Sequence, residues 1–410
     1  KLGLFEDPYK YCDENRAATK IYTAANRAAV RDAATKSFVL LKNEGNLLPI
    51  KKSGAIALIG PLADSKVNMP GTWAVSADLS KAISLKTGLE EAVGNQADII
   101  YAVGSNLLED PAYQTRATMF GRDIPRDNRS EEAMIKEAVD AAKKSDVVVA
   151  ALGESSEMSG ESASRTNIQI PAIQQRLLKA LLATGKPVVL VLFNGRPLDL
   201  SWENENVPAI LDVWFGGSET GHAIADVLFG DVNPSGKLTV TFPQNVGQIP
   251  IYYNHKNTGR PLPEGKWFQK FRSNYLDVTN KPLYPFGYGL SYTTFEISSP
   301  KLSKSNMTAS ETILVTVDVK NSGTKAGEEV VQLYIRDMVG SIVRPVKELK
   351  GFQKVMLKAG ETKTLTYEIK EETLKFYNAD LKHVAEPGDF KVFVGNSSEN
   401  VKEADFKLID

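Results

Sequence analysis

A series of short, continuously apolar runs, separated by helical patterns, constrains this chain more than any other feature. The runs are "AIALIG" (55–60), "ADIIYAVG" (97–104), "DVVVAALG" (146–153), "KPVVLVLF" (186–193), "VPAILDVWF" (207–215) and "KLTVTF" (237–242). They are rich in Val and Ile and lack the polar alternation of a half-solvated sheet, so they read as strands buried on both faces. "SEEAMIKEAVDAAKKS" (130–145) opens on Ser130 as a cap, has an acidic first turn and closes on Lys143 and Lys144. "PAIQQRLLKALLATG" (171–185) starts on Pro171 and ends on Gly185. "SETGHAIADVLFG" (218–230) places Ser218 at the N-cap, His222 inside the helix as a structural residue, and Gly230 at the end. This alternation predicts an α/β sandwich, a mainly parallel sheet with helices on both faces. Ahead of it, residues 26–41 read as one amphipathic helix, stopped by Asn43 and Gly45.

The rhythm changes after Phe242. Residues 243–295 are dense in Pro, Gly, Asn and Tyr and read as a long ordered connection, ending in the aromatic "YPFGYGLSYTTF" (284–295). From about 296 the pattern is all strand. "TILVTVDVKNSGTKAGEEVVQLYIRD" holds two alternating runs joined by Asn-Ser-Gly, and "GDFKVFVGNSS" adds another. Strands at this spacing predict an all-β sandwich of about 100 residues. The expected units are 1–45 (linker and helix), 46–245 (α/β sandwich), 246–295 (connecting segment) and 296–410 (all-β sandwich).

Composition mainly excludes. Lys plus Arg number 49 and Asp plus Glu 50, which leaves no basic footprint for nucleic acid. Cys12 stands alone, and His222, His255 and His383 lie far apart, so neither a disulfide nor a zinc spacing is present. No run reaches the ~18 apolar residues of a membrane span. "FGGSETGHA" (215–223) has His222 where a phosphate loop needs lysine, and no GxGxxG follows a strand. No cofactor or metal is expected.

The stretch with chemical character is "VVVAALGESSEMSGESASRTNIQIP" (147–171). A buried strand breaks into a loop carrying Glu154, Glu157 and Glu161, then Arg165. In open α/β sheets ligands bind beyond the carboxyl ends of the strands. A carboxylic acid there can give a proton, and a neighbouring arginine can hold sugar hydroxyls or keep a second acid ionised. The bland alternative is a solvated acidic loop. Trp73, in "NMPGTWAVSAD", suits stacking on a sugar face, though packing alone also explains it. Arg196, in "LFNGRPLDL", reads as a structural residue pairing with an acid.

Several stretches together resemble glycoside hydrolase family 3 of the β-glucosidase kind. They are "AAVRDAATKSFVLLKNEGNLLPI", "ALIGPLADSKVNMPGTWA", "LGESSEMSGESASRTNIQIP", "PVVLVLFNGRPLDL", "AILDVWFGGSETGHAIADVLFGDVNPSGKLTVTFP" and "PLYPFGYGLSYTTF", in order over almost the whole chain. The resemblance implies three parts: a TIM-like barrel, an α/β sandwich and a fibronectin type III-like domain. This chain matches the last two and reads as the C-terminal portion. The resemblance also implies a retaining exo-β-glycosidase with two carboxyl groups about 5 Å apart. Its aspartate nucleophile belongs to the barrel, and its general acid/base comes from the loop that matches "GESSEMSGESASR". Glu161, four positions before Arg165, is the expected acid/base, with Glu154 the runner-up and Glu157 third. Trp73, Met158 and Arg165 are expected to line the sugar subsite, with Arg272 and Tyr275 approaching from the connecting segment. The expected partners are a β-glucoside or oligosaccharide and the barrel; a homodimer is left open. The location implied is periplasmic or secreted. The competing readings are a non-catalytic carbohydrate-binding or scaffolding module, β-xylosidase specificity, and a flavodoxin-like nucleotide or flavin binder.

Overall fold

The computed structural model describes residues 1–263 and 265–410. Its first half holds eight helices among the described residues: Arg16–Lys20 (α1), Ala24–Ser37 (α2), Leu85–Val93 (α3), Pro111–Arg116 (α4), Glu131–Lys143 (α5), Ala172–Leu182 (α6), Ser201–Asn206 (α7) and Thr220–Phe229 (α8). Six strands form one sheet: Val39–Asn43 (β1), Gly54–Ile59 (β2), Ala97–Ala102 (β3), Val147–Gly153 (β4), Val188–Phe193 (β5) and Ala209–Asp212 (β6). Their order is β1-β6-β5-β4-β2-β3. β2 to β6 run parallel, and β1 closes one edge antiparallel to β6.

The continuous apolar runs have the structural cause expected of them. Val147, Val149 and Ala151 of β4 face one core with residues of α2, α3 and α8. Val148, Ala150 and Leu152 face the other with residues of α5 and α6. Every residue of β4 and β5 is buried, so no polar alternation is possible. Ser130 caps α5 as expected, its side chain accepting from the Ala133 N–H.

Three expectations need correction. The helix read over 26–41 ends at Ser37, and Val39–Asn43 is the edge strand. Its residues Val39, Leu40 and Leu41 are buried because the sheet, not a helix face, covers them. The stretch expected to be a linker therefore contributes a strand. "KLTVTF" does not join the sheet. It pairs irregularly with the aromatic segment (Leu238 N–H to Tyr288 O at 2.8 Å, Phe242 N–H to Tyr284 O at 2.9 Å), and Leu238 and Phe242 cover the second core. Ser218 does not cap α8. Glu219 holds the N-cap position, and the Thr220 hydroxyl donates to Gly217 O at 2.6 Å. His222 is structural, with Nδ1 2.7 Å from Glu219 and Nε2 2.8 Å from Glu91.

Beyond residue 294 the strands form a β-sandwich. Ile313–Asn321 pairs with Thr362–Ile369 in one sheet, and Gly327–Asp337 pairs with Glu348–Leu357 and Gly388–Gly395 in the other. The two alternating runs flanking Asn-Ser-Gly thus lie in different sheets. The sandwich is fastened to the α/β part by Lys237 on Glu329 (2.7 Å), by Gln332 donating to Gly287 O (3.0 Å) and by Tyr253 stacked on Phe286 and edge-on to Tyr334. No helix among the described residues is long and apolar enough to cross a membrane.

Candidate active site

The chain runs from β2 outward to β3, returns to the other side of β2 for β4, and then continues outward through β5 and β6. Strand order reverses between β2 and β4. In a doubly wound sheet the crevice at such a switch point, outside the carboxyl ends, is where ligands bind. The loop after β2 carries Trp73, and the loop after β4 carries the three glutamates.

The structure gives those glutamates different surroundings. Glu154 is fully buried. Arg165 donates to its Oε1 at 2.8 Å, Arg196 Nε lies 3.0 Å from the same oxygen, and the Gly195 N–H donates to Oε2 at 3.3 Å. The oxygens of Glu154, the runner-up acid/base, are thus taken up by two guanidiniums and a backbone N–H. Arg165 is committed with it: its side chain is 9% exposed and also donates to Gln169 O at 3.0 Å. Met158 is 3% exposed and belongs to the core that Val147, Val149 and Ala151 face. Arg165 and Met158, expected to line a sugar subsite, are thus both largely buried in this structure. Glu157 pairs at 2.8 Å with Arg122, and both side chains are largely covered.

Glu161 differs from both. It is exposed and makes no ion pair or side-chain hydrogen bond among the described residues. It sits at the tip of a turn whose neighbours, Gly160 (φ 101°) and Ser162 (φ 56°), both have positive φ. At Gly160 this conformation favours glycine, and space does too: a Cβ there would lie 2.7 Å from the Thr72 methyl and 3.6 Å from the Trp73 ring. The turn that bears Glu161 therefore rests on the side chains of Thr72 and Trp73, and Trp73 is 75% exposed beside it. An exposed carboxyl thus follows directly on a glycine that packs against an exposed indole.

Both flanks of the turn are held from below. Arg196 donates to Met158 O and, at 2.6 Å, to Ala163 O. The Ser156 N–H donates to Asn68 at 2.6 Å, and the Ser155 hydroxyl to Ala117 O at 2.6 Å. Arg122 donates to Val67 O and Ala74 O, which ties Trp73's loop to Glu157's. Gln174 bonds both backbone groups of Gly153 at the end of β4. Sequence reasoning found Arg196 as a pairing residue but missed Asn68, Arg122 and Gln174. No local pattern marks them, because their partners lie 88, 35 and 21 positions away.

Arg272 and Tyr275 lie in the connecting segment and hydrogen-bond to neither mouth loop among the described residues. Tyr275 lines another cleft, of about 1080 Å³, with Tyr252, His255, Trp267 and Glu399.

Comparison with known proteins gives the chain's family. Residues 38–292 match the glycosyl hydrolase family 3 C-terminal domain, and residues 329–398 match the fibronectin type III-like domain. A periplasmic β-glucosidase of Salmonella typhimurium is 48% identical over all of this chain and 54% of its own length. A β-xylosidase of Formosa agariphila is 40% identical over 97% of the chain and 52% of its own length. A solved β-glucosidase from Listeria innocua, in complex with isofagomine, superposes with a TM-score of 0.88 at 42% identity, over 99% of this chain and 53% of that one. The chain spans about half the length of these relatives. On the match over 38–292, the chain belongs to glycosyl hydrolase family 3, through that family's C-terminal domain.

Proposed function

We propose that this chain supplies the general acid/base of a retaining β-glucosidase, and that Glu161 is that residue. One observation carries the reading: of the three carboxylates in the loop after β4, only Glu161 reaches the mouth unpaired among the described residues. The relatives named β-glucosidases support the reaction class. The nucleophilic aspartate belongs to a barrel domain matching the remaining half of those relatives, and the sugar sits between barrel and sheet. The proposed units are the linker and α2 (1–45, whose last residues add strand β1 to the sheet), the α/β sandwich (46–245), the connecting segment (246–295) and the fibronectin-like domain (296–410).

In the first step the barrel carboxylate attacks the anomeric carbon while protonated Glu161 gives its proton to the departing glycosidic oxygen. In the second, Glu161 as a carboxylate takes a proton from water, which attacks the glycosyl-enzyme and restores both groups. Trp73 offers an apolar face for stacking against the sugar. Docking of the barrel would close the mouth and strip water from Glu161.

The test is chemical rescue. In the chain joined to its barrel, Glu161→Ala lowers turnover of an aryl β-glucoside by about 10²–10⁴-fold. Azide, which needs no general base, restores turnover and yields the β-glycosyl azide. Loss without rescue, or no loss, would contradict the assignment. A β-xylosidase specificity is the second reading, favoured by the relatives of that name. Paired aryl glucoside and xyloside rates separate the two. The Salmonella relative's periplasmic location supports an exported protein.

A further inference from the structure

Residues 72–76 form the tip of the loop after β2, and none of them is buried; Val75 is 88% exposed. A tip with no side chain in a core is only as fixed as its polar ties. Its internal ties are slight: the Ala74 N–H reaches Gly71 O at 3.5 Å. Among the described residues, one hydrogen bond joins residues 72–76 to a distant part of the chain. Arg122 donates it, to Ala74 O at 3.2 Å, on the residue after Trp73.

Arg122 is itself held firmly. Its side chain is 6% exposed. It lies in residues 117–124, which turn through Phe120 (φ 60°) and Gly121 (φ 74°) and are pinned at both ends. The Ser155 hydroxyl donates to Ala117 O at 2.6 Å, and the buried Gln114 amide of α4 donates to Ile124 O at 3.1 Å. Each nitrogen of the guanidinium meets a different acceptor. Nη1 donates to Val67 O at 3.3 Å, Nη2 to Ala74 O, and Nε lies 2.8 Å from Glu157 Oε1. Arg122 and Glu157 have no other ion-pair partner among the described residues. Val67 and Ala74 belong to the loop that carries Trp73, and Glu157 stands four positions before Glu161. A planar fork of five donors can span three acceptors, whereas a lysine presents a single nitrogen as a point charge.

We propose that Arg122 is a positioning residue that sets where Trp73 stands relative to Glu161, and so governs affinity for the sugar rather than the rate of proton transfer. The packing of Gly160 on Thr72 and Trp73 gives the two loops a contact, and Arg122 gives that contact one register. A tip released from Arg122 carries the indole off the sugar face and weakens binding. Glu161 stays in place, because Arg196 holds Met158 O and Ala163 O on either side of it. Arg122 touches no substrate and moves no proton. The sugar-binding part of this inference rests on Glu161 and Trp73 serving one site as proposed above.

The experiment labels the 410-residue chain with fluorotryptophan, and Trp73→Ala assigns one of its four ¹⁹F resonances. Arg122→Lys keeps a cation for Glu157 but loses the fork. The Trp73 resonance should then move and broaden while those of Trp202, Trp214 and Trp267 stay where they are. In the chain joined to its barrel, Arg122→Lys should raise KM on an aryl β-glucoside by about three- to tenfold, with kcat within about threefold of wild type. On a Trp73→Ala background the same change should move KM by less than about twofold, because both act through one ring. A merely structural role predicts KM effects that add. If Arg122→Lys does not fold, Arg122→Met combined with Glu157→Leu replaces the buried pair by apolar side chains and takes its place in every measurement. An unchanged Trp73 resonance, or KM effects that add, overturns the proposal. The outcomes stay separable from those for Glu161. An inert Glu161→Ala would sink the acid/base reading and leave the ¹⁹F result standing, and an unchanged Trp73 resonance would do the reverse.

Discussion

The loop after β4 and the outer faces of the β-sandwich hold charge in different ways. In the loop, Glu154, Arg165, Arg122 and Glu157 turn inward and pair out of contact with water. In the sandwich, pairs such as Lys391–Glu403 and Lys370–Glu368 lie across the surface. A buried pair is expensive to break because removing one partner strands the other, whereas an exposed pair is worth little. The sandwich has an apolar core of residues such as Val315, Val331 and Phe390, spreads many of its charge pairs over the surface, and buries Glu329 and Asp337 against Lys237 and Arg344 outside that core. The loop has little apolar surface, so buried ions fix its shape. A loop held this way can keep one carboxylate, Glu161, out of the network and still place it.

The contrast predicts a graded set of effects. Glu154→Ala strands Arg165 and Arg196 and should lose about 3–5 kcal/mol in urea unfolding. A loss below about 1 kcal/mol would mean that the inward pairs are no firmer than surface ones. Next comes Glu203, buried on α7, whose carboxyl is pushed up to about 6 by burial from an ordinary 4.5. The folded chain holds this proton more tightly than the unfolded chain does. Its contribution is therefore full below pH 4.5, is lost as pH rises to about 6, and amounts to about 2 kcal/mol. Glu203→Gln should flatten that part of the stability–pH curve, and an unchanged curve would refute it. Trp73→Ala should leave the unfolding midpoint alone, since the ring is exposed, and raise KM by about tenfold through lost stacking. The smallest effect belongs to the sandwich: Lys391→Ala should cost less than about 1 kcal/mol and vanish at high salt.

What the sequence made legible follows the same division. The buried strands could be read because burial on both faces writes itself locally, as in "VVVAALG". The Ser130 cap was legible because its partner is three residues away. The boundary at Ser37 was not, since Phe38 to Leu41 continue the helix's apolar spacing and only pairing with β6 makes them a strand. "KLTVTF" has strand composition, but its partners at 284–288 are irregular. Three glutamates in one loop were visible, and their roles were not. Glu154 and Glu161 are equivalent on composition, and what separates them is Arg196, 42 positions from Glu154, and Gly160 seated on Trp73.

One comparison tests this division of labour directly. Glu161→Gln, Glu154→Gln and Glu157→Gln would be made in the chain together with its proposed barrel. For each, kcat on a β-glucoside with a poor leaving group and the urea midpoint would be measured. Glu161→Gln should keep the wild-type midpoint and lose about 10²–10⁴-fold in kcat, while the other two should lower the midpoint. Full activity in Glu161→Gln, with an inactive Glu154→Gln that melts like wild type, would contradict the account.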